Sequence, residues 1–593
     1  MTPRYERELL ELRRGFPSPV ARPDNDSTLL GTLGAALRAA LALRPDELTP
    51  DLQSLDSLSP DPQLAAASPA PERDGESWEH ARLAEAGLSL DAVVERLVGC
   101  LSRLPVEVHP KNQVNVNAQP STGSLAGALL PALFNPNMSS DGRGAGCSRA
   151  EREIVAMVAR LAGCDPGAAG GVFTFGGTGT MLYGVRLGLE TALGGVMRRG
   201  LFRMADEAQS REPHSHSATS AADRHAVDRD PAGQVARRGC GPPVVLASER
   251  SHHTVLTAAG WLGIGQDQVR LVPVGDDHAI DVAACERIAD EELAAGRPIA
   301  AIVATLGTTD AFGLDDLAGL YRMRDRLVER HSLAYRPHLH ADSVIGWAWT
   351  VFRDYDFERN TLEFDADTLT ALRASATVLR ELHLADSFGV DFHKTAFCPY
   401  VSSAFVVRDR RRLELLARQQ ETMPYLFHSG GYHPGMFTLE TTRSAVGVLA
   451  ALGSLLQLGE RGMQVLLGRS IAMTRRLRRQ LGARADVRIV NEDNVGPVTL
   501  FRVYPPGVDP RAEFLRERTD ASFGDAVDRV NELNHAIHAR SQQRARDGAG
   551  IGIGWTRRAC RAADGRPIAA LKSYLLSPFL ESEMIDAIVG ELR

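Results

Sequence analysis

Six short runs rich in β-branched and other apolar residues, at 243–247, 269–274, 299–306, 337–342, 387–392 and 402–408, alternate with amphipathic helical stretches. Strands separated by helix-length crossovers pair in parallel, and a parallel sheet has to be covered on both faces. The alternation therefore predicts an α/β core built on a large, mostly parallel sheet. Near Leu439 the pattern changes to a long helix running to Leu458. More helix follows, then strand-like runs at 487–490, 498–503 and 569–576, which predict a smaller α+β domain at the C-terminus.

Apolar residues make up 44% of the 593 and charged residues 24%, enough for most of the chain to bury a core. Two stretches differ. Residues 1–80 hold a weak helix at 28–43 and then a Pro/Asp/Ser-rich run that reads as a flexible linker. Residues 204–238, rich in Ser, His, Asp and Arg, read as a disordered surface insertion. Lys+Arg 67 against Asp+Glu 74 gives a net charge of −7, without the basic excess that would neutralise phosphates along a duplex, so no nucleic acid is expected as a partner. Seven cysteines without a Cys-x-x-Cys pair fit a reducing compartment. The opening MTPRYERELLELRRGF has no apolar signal core, and the uncharged stretch at 444–459 is too short and too broken to span a bilayer, so a cytoplasmic protein without a membrane partner is expected.

In GVFTFGGTGTMLYGVRLGLE, Gly176, Gly177, Thr178, Gly179 and Thr180 stand immediately before an amphipathic helix. Glycines let the backbone approach an anion, the N–H groups of the first turn point at it, and threonine hydroxyls add donors. That describes a phosphate cradle, although a plain glycine-rich turn is an alternative; no GxxxxGK[ST] run signals a nucleotide loop. Asp342 closes the strand 337–342, and Lys394 follows the strand 387–392. Ligands of open α/β sheets bind at the carboxyl ends of strands, so these two side chains can face one pocket. A buried carboxylate can hold a proton on a heterocyclic nitrogen, and a lysine amine can bond to an aldehyde. Taken singly, Asp342 also reads as a cap or turn residue and Lys394 as a solvated lysine. With the upstream cradle they describe a pyridoxal phosphate site.

Five segments in order, GVFTFGGTGTMLYGV, SERSHHTVLTAAGWLGI, ATLGTTDAFGLDDL, LHADSV and ADSFGVDFHK, resemble the group II pyridoxal-phosphate-dependent amino acid decarboxylases, the family of aromatic amino acid, glutamate, tyrosine and diaminobutyrate decarboxylases. The resemblance runs from about His109 to the C-terminus. It implies the type I aminotransferase-like fold, with a mostly parallel seven-stranded sheet domain and a smaller C-terminal α+β domain, in a homodimer with active sites at the interface. On that pattern residues 81–124 are a helical segment packing on the dimer partner, 125–435 the large cofactor-binding domain and 436–593 the small domain. Lys394 would be the lysine that carries pyridoxal 5'-phosphate and Asp342 the partner of its pyridine nitrogen. His252 would stack on the ring, Gly177, Thr178 and His393 would hold the phosphate, and Thr305 would lie close to the cofactor. A satisfied core histidine is the other reading of His252.

Family members carry a loop tyrosine that protonates the substrate Cα, and PYLFHS matches that segment with Tyr425; Tyr432 competes for the role. Arg443 matches a recurrent arginine that reads equally as a structural ion pair. The chain departs from the pattern at Gly179, Thr180 and Met181, at Thr395 after the lysine, and in the insertion WAWTVFRDYDFERNTLEFDADTLTALR between Asp342 and Lys394. The expected reaction is decarboxylation of an L-amino acid to its primary amine. The uncharged segment NQVNVNAQPSTGSL favours an apolar substrate, aromatic or branched aliphatic such as valine or leucine. Acidic and diamino acids (glutamate, diaminobutyrate) and a decarboxylation-coupled oxidative aldehyde synthase are the alternatives. From another class comes a metal-dependent hydrolase, with His338, His340 and Asp342 on one strand face and Lys394 as a further ligand; the preferred reading has no metal.

Overall fold

The computed structural model describes residues 23–42, 82–83, 87–101, 109–196, 200, 241–418, 423, 431–547 and 550–592. Most of the expected linker, the insertion at 204–238 and Tyr425 lie outside the described residues. The chain forms two compact units, one made of residues up to Asn112 with Ile537–Ile553 and Asp586 onward, the other of Gln113–Ala536 with Gly554–Ile585. In the first, the weak N-terminal helix is Pro23–Ala42.

The second unit holds a seven-stranded sheet. Its strands are β1 (Gly170–Thr174), β2 (Val244–Ser248), β3 (Val269–Val272), β4 (Ile299–Thr305), β5 (His338–Asp342), β6 (Ser387–Asp391) and β7 (Ser403–Val407), in the order β1-β7-β6-β5-β4-β2-β3. From β6 to β3 every pairing is parallel, while β7 runs antiparallel to both β6 and β1. All six predicted strands form; five are a little shorter than their apolar runs, and the first is shifted by one residue. β4 is buried along its whole length, as a central strand covered on both faces must be. β1 was not foreseen, because its sequence GGVFT merges into the glycine motif that follows.

Register positions the site. Thr305 pairs with Asp342 across β4 and β5, and Asp342 with Gly389 across β5 and β6, so the carboxyl ends of three adjacent strands share one edge. Helices α2 (Gly146–Leu161) and α3 (Gly177–Leu193) pack on the sheet, while α1 (Thr122–Phe134) packs on the long helix described below. α3 lies so close to β5 that a Cβ on Gly184 would come within 2.5 Å of the His340 ring, and only glycine permits that approach. The start of the insertion after Asp342 is part of the interior. It forms a 3-10 helix, Gly346–Phe352, whose residues are all buried, with Trp347, Trp349 and Phe352 in the main core.

The long helix begins later than predicted and runs further. This α4 spans Val446–Gly482, with a break at Gly459 (φ 58°, ψ −177°). Residues 438–443 precede it in irregular structure, where their backbone and side chains are tied by Arg418, which donates to the Thr438 and Leu439 carbonyls, and by Arg443. The expected C-terminal sheet contains β8 (Val487–Ile489), β9 (Val498–Val503), β10 (Gly552–Arg561) and β11 (Pro567–Tyr574), antiparallel in the order β10-β11-β9-β8. β10 was missed because Arg557, Arg558 and Arg561 interrupt its apolar pattern. No described helix is long and apolar enough to cross a membrane.

Candidate active site

Lys394 sits on a four-residue helical turn, Phe392–Thr395, that follows β6 directly. Two ring contacts and a hydrogen bond fix this turn. The Phe392 ring stacks on Phe173 of β1 at 5.4 Å and meets the edge of Trp347 at 5.1 Å, and Trp347 Nε1 donates to the Asp391 carbonyl at 3.2 Å. The insertion thus braces the segment that carries the lysine. Lys394 Nζ lies 2.8 Å from Asp391 Oδ2, and Ser403 Oγ donates to Asp391 Oδ1 at 2.6 Å. Burial works against the Lys394 ammonium, but the charge and hydrogen bond of Asp391, with the charge of Asp342, outweigh it and raise its pKa.

A cleft of about 150 Å³ opens at this edge of the sheet. Lys394, Asp342, His252, Gly177, Thr178, Thr305 and His393 all line it, so the fold brings together every described residue assigned to the cofactor from sequence. Asp342 is buried, and the loss of solvation pushes its pKa up to about 6 against the opposing pull of Lys394. Thr305 shares a 2.9 Å hydrogen bond with Ser251, and its backbone N–H donates to the buried Asp315 at 2.6 Å. His393 Nδ1 lies 2.9 Å from the Ser402 carbonyl oxygen, and its ring lies 4.5 Å from that of Tyr400. His252 Nδ1 approaches Thr254 Oγ1 at 3.2 Å; loss of solvation, then the charges of His253 and Lys394, lower its pKa to about 4, so the ring is neutral at pH 7.

Gly177 and Thr178 open α3 after Gly176, which adopts φ +101° to turn the strand into the helix. A Cβ on Gly177 would come within 3.1 Å of Asp391 Oδ2, so the backbone reaches the cleft floor only without a side chain. The donor set suits pyridoxal 5'-phosphate at each end. Helix N–H groups and a threonine hydroxyl serve a phosphate, a lysine amine serves an aldehyde, and a buried carboxylate serves a pyridine nitrogen.

Asp391 and the Thr308–Thr309 pair line the same cleft and were not singled out. Their signals were present. Asp391 precedes Lys394 by one helical turn inside ADSFGVDFHK, and the threonines follow Thr305 in ATLGTTDAFG.

Other candidates lie elsewhere. Tyr432 does not line the cleft; its hydroxyl donates to the Gly171 carbonyl at 3.3 Å, and loss of solvation with the nearby Glu151 charge drives its pKa upward. Arg443 is a structural ion pair: buried, it binds Glu151 of α2 and donates to the Met138 and Phe173 carbonyls, both at 2.9 Å. His338 Nε2 and His340 Nδ1 converge on Ser387 Oγ at 2.8 and 2.9 Å, and burial lowers both pKa values to about 3. These histidines are interior bracing between β5 and β6. Among the described residues no group of three or more His, Cys, Asp or Glu is arranged to hold a metal ion.

Comparison with known proteins gives the same direction. The model described as the pyridoxal-dependent decarboxylase conserved domain matches residues 233–503. The chain is 23% identical over 424 residues to an L-2,4-diaminobutyrate decarboxylase of Acinetobacter baumannii, covering 71% of this chain and 72% of that protein. It is 24% identical to an aspartate 1-decarboxylase of Aliivibrio fischeri (60% and 57% covered) and 25% identical to an L-tyrosine decarboxylase of Enterococcus faecium (39% and 40%). The matches to these last two span less than two thirds of their length. In fold the chain is similar to mouse CSAD in its apo form, with a TM-score of 0.68 at 18% identity over 96% of this chain and 98% of that one.

Proposed function

We propose that the chain, which matches the pyridoxal-dependent decarboxylase model over residues 233–503, is a decarboxylase of that kind and removes the α-carboxyl group of an L-amino acid as CO2, releasing the corresponding primary amine. Pyridoxal 5'-phosphate is the family's cofactor; when bound it supplies an electron sink for the pair that CO2 leaves behind. The observation that carries the reading is Lys394 set between Asp391 and Asp342 at the floor of a cleft whose rim is a helix N-terminus.

In this reading Lys394 attaches the cofactor, and Asp342 keeps a proton on its ring nitrogen. Gly177, Thr178 and His393 hold the phosphate, Thr305 flanks the ring, and His252, neutral at pH 7, covers its face. Tyr425 delivers the proton to the substrate Cα; Tyr432, committed to the Gly171 carbonyl, is less suited. The protein works as a homodimer with sites at the interface. A cytoplasmic location agrees with six described cysteines that are all free thiols.

The apolar preference drawn from NQVNVNAQPSTGSL is supported by the tyrosine decarboxylase relative. A charged substrate is supported by the diaminobutyrate and aspartate enzymes. The test is an absorbance spectrum of the protein reconstituted with cofactor, with CO2 and amine measured over a panel of L-amino acids. We expect a visible cofactor band that is absent in Lys394→Ala, and equal amounts of CO2 and amine from one substrate class. Ammonia and aldehyde as products would move the assignment to the oxidative branch, and a colourless, inactive protein would overturn it.

A further inference from the structure

Next to the cofactor cleft lies a second chamber of about 260 Å³ that shares His252, Thr308 and Thr309 with it. We propose that this chamber receives the carboxylate of the substrate's side chain, with Arg250 as its anchor, so that the substrate is an acidic L-amino acid. The inference rests on the decarboxylase reading and names the substrate class that reading leaves open.

The argument is a charge inventory. Arg250 lines the chamber; its Nη1 donates to the Arg558 carbonyl, and its Nε is buried without a hydrogen-bond partner. Among the described residues Arg250 makes no ion pair. The carboxylates nearby are committed elsewhere: Glu249 lies 3.4 Å from Arg561 and 3.9 Å from Arg558, and Asp310 is held by Lys572 at 3.0 Å and by the Thr556 hydroxyl at 2.8 Å. His278, also on the wall, is kept neutral near pH 7 by burial and by the Arg250 charge, which lower its pKa to about 4. Both carboxylates act on Arg250 through space, but they are shared with Arg558, Arg561 and Lys572, so cations outnumber carboxylates around the chamber and no carboxylate is bonded to its guanidinium. A cation drawn out of water without a partner is costly, and a planar guanidinium matches a carboxylate in geometry as well as charge. An apolar side chain would leave the charge stranded. An ammonium side chain would meet Arg250 and find Asp310 already neutralised. Only an acidic side chain completes the set, while the α-carbon stays over the shared wall beside Lys394.

The test uses the cofactor-loaded enzyme with Arg250→Met and Arg250→Lys. Wild type should turn over L-aspartate or L-glutamate with a higher kcat/KM than L-tyrosine, L-leucine or L-2,4-diaminobutyrate. Arg250→Met should raise the KM for the acidic substrate about 10- to 100-fold, the effect of losing a charge-assisted hydrogen bond. Its kcat should fall far less, and Arg250→Lys should recover part of the loss. Calorimetry gives an independent readout: succinate, which has no amine, should bind wild type and not Arg250→Met, and butyrate should bind neither. A circular dichroism melt checks that the variants fold. Turnover of apolar substrates only, or equal succinate binding by wild type and Arg250→Met, overturns the chamber assignment while the decarboxylase reading stands. No CO2 from any amino acid by a correctly coloured enzyme overturns the decarboxylase reading and the substrate class with it.

Discussion

An aspartate that is to hold a proton on a ring nitrogen has to be an anion in a place that disfavours anions. Asp342 shows the conflict: burial lifts its pKa from 3.8 to about 6. A raised carboxyl pKa means that the folded state prefers the neutral form, so this group's contribution to stability is complete below pH 3.8 and is lost as pH rises through about 6. At pH 8 the penalty is of order 3 kcal/mol. Asp342→Asn should therefore raise the melting temperature of the cofactor-free protein by several degrees at pH 8 and leave it unchanged near pH 4, as thermal melts at the two pH values will show. The same variant should bind pyridoxal 5'-phosphate at least about 10-fold more weakly by fluorescence titration, because an amide is not an anionic partner. Unchanged affinity would remove Asp342 from the role given to it. Asp391 makes the complementary case, because its charge and hydrogen bond hold the Lys394 ammonium. Asp391→Asn should lower the Lys394 pKa and shift the pH dependence of cofactor attachment by the cofactor-free protein towards lower pH. A profile identical to wild type would show that the pair has no influence on the amine. Lys394, Asp342 and the Gly177–Thr178 turn could be picked out from sequence because each is a residue type suited to one chemical task, and the fold brings them to one cleft. Asp391 could not be, because an aspartate one turn before a lysine looks like any surface ion pair until the strand is seen to be buried.

At the scale of elements, one hydroxyl ties two side chains of β5 to β6 in addition to the backbone ladder. Ser387 Oγ serves both His338 and His340, which are buried, with pKa values lowered to about 3. A depressed histidine pKa means that the unfolded chain takes up protons the folded one refuses. Stability is therefore present above the ordinary value of 6.5 and drains away as pH falls from there towards 3. Ser387→Ala leaves two buried ring nitrogens without their partner and should cost about 2–4 kcal/mol in urea unfolding at pH 7.5, while wild type and variant should lose stability in parallel as the pH is lowered to 5. A cost below about 0.5 kcal/mol would mean that the histidines find other partners. The H-x-H-x-D strand could be read from sequence as a metal face, because alternation does bring those side chains to one side. What sequence could not show was the serine on the neighbouring strand, a contact made only by sheet register. The same limit explains β1 and β10. Glycines hid one and arginines the other, while the strands with unbroken apolar runs were all found. The Trp-rich insertion was visible only as a departure from the family pattern between Asp342 and Lys394, and its burial makes it the brace behind the turn that carries Lys394.

The whole molecule poses a question of surface. α1 meets α4 through glycines: a Cβ on Gly127 would lie 2.0 Å from the Leu449 carbonyl oxygen, and one on Gly453 would lie 2.1 Å from that of Gly123, so the two backbones touch and the crossing tolerates no side chain. The rest of α1 is also apolar but faces outward, with Phe134 83% and Leu129 58% exposed and Leu125, Leu130 and Leu133 beside them. A helix that spends glycines on its inner face and leucines on its outer one is built to be covered twice, and a patch of this kind marks an interface. A second copy of the chain is the expected cover, in keeping with the homodimer proposed above. Light scattering after size exclusion should give the mass of two chains, and Leu129→Glu with Phe134→Glu should give the mass of one, with an unchanged far-ultraviolet circular dichroism spectrum. If the site depends on the interface, the single-chain variant should lose most of its decarboxylase activity although Lys394 and its cleft are untouched. An active protein with the mass of one chain would place the whole site within one subunit and leave the outer face of α1 to another partner.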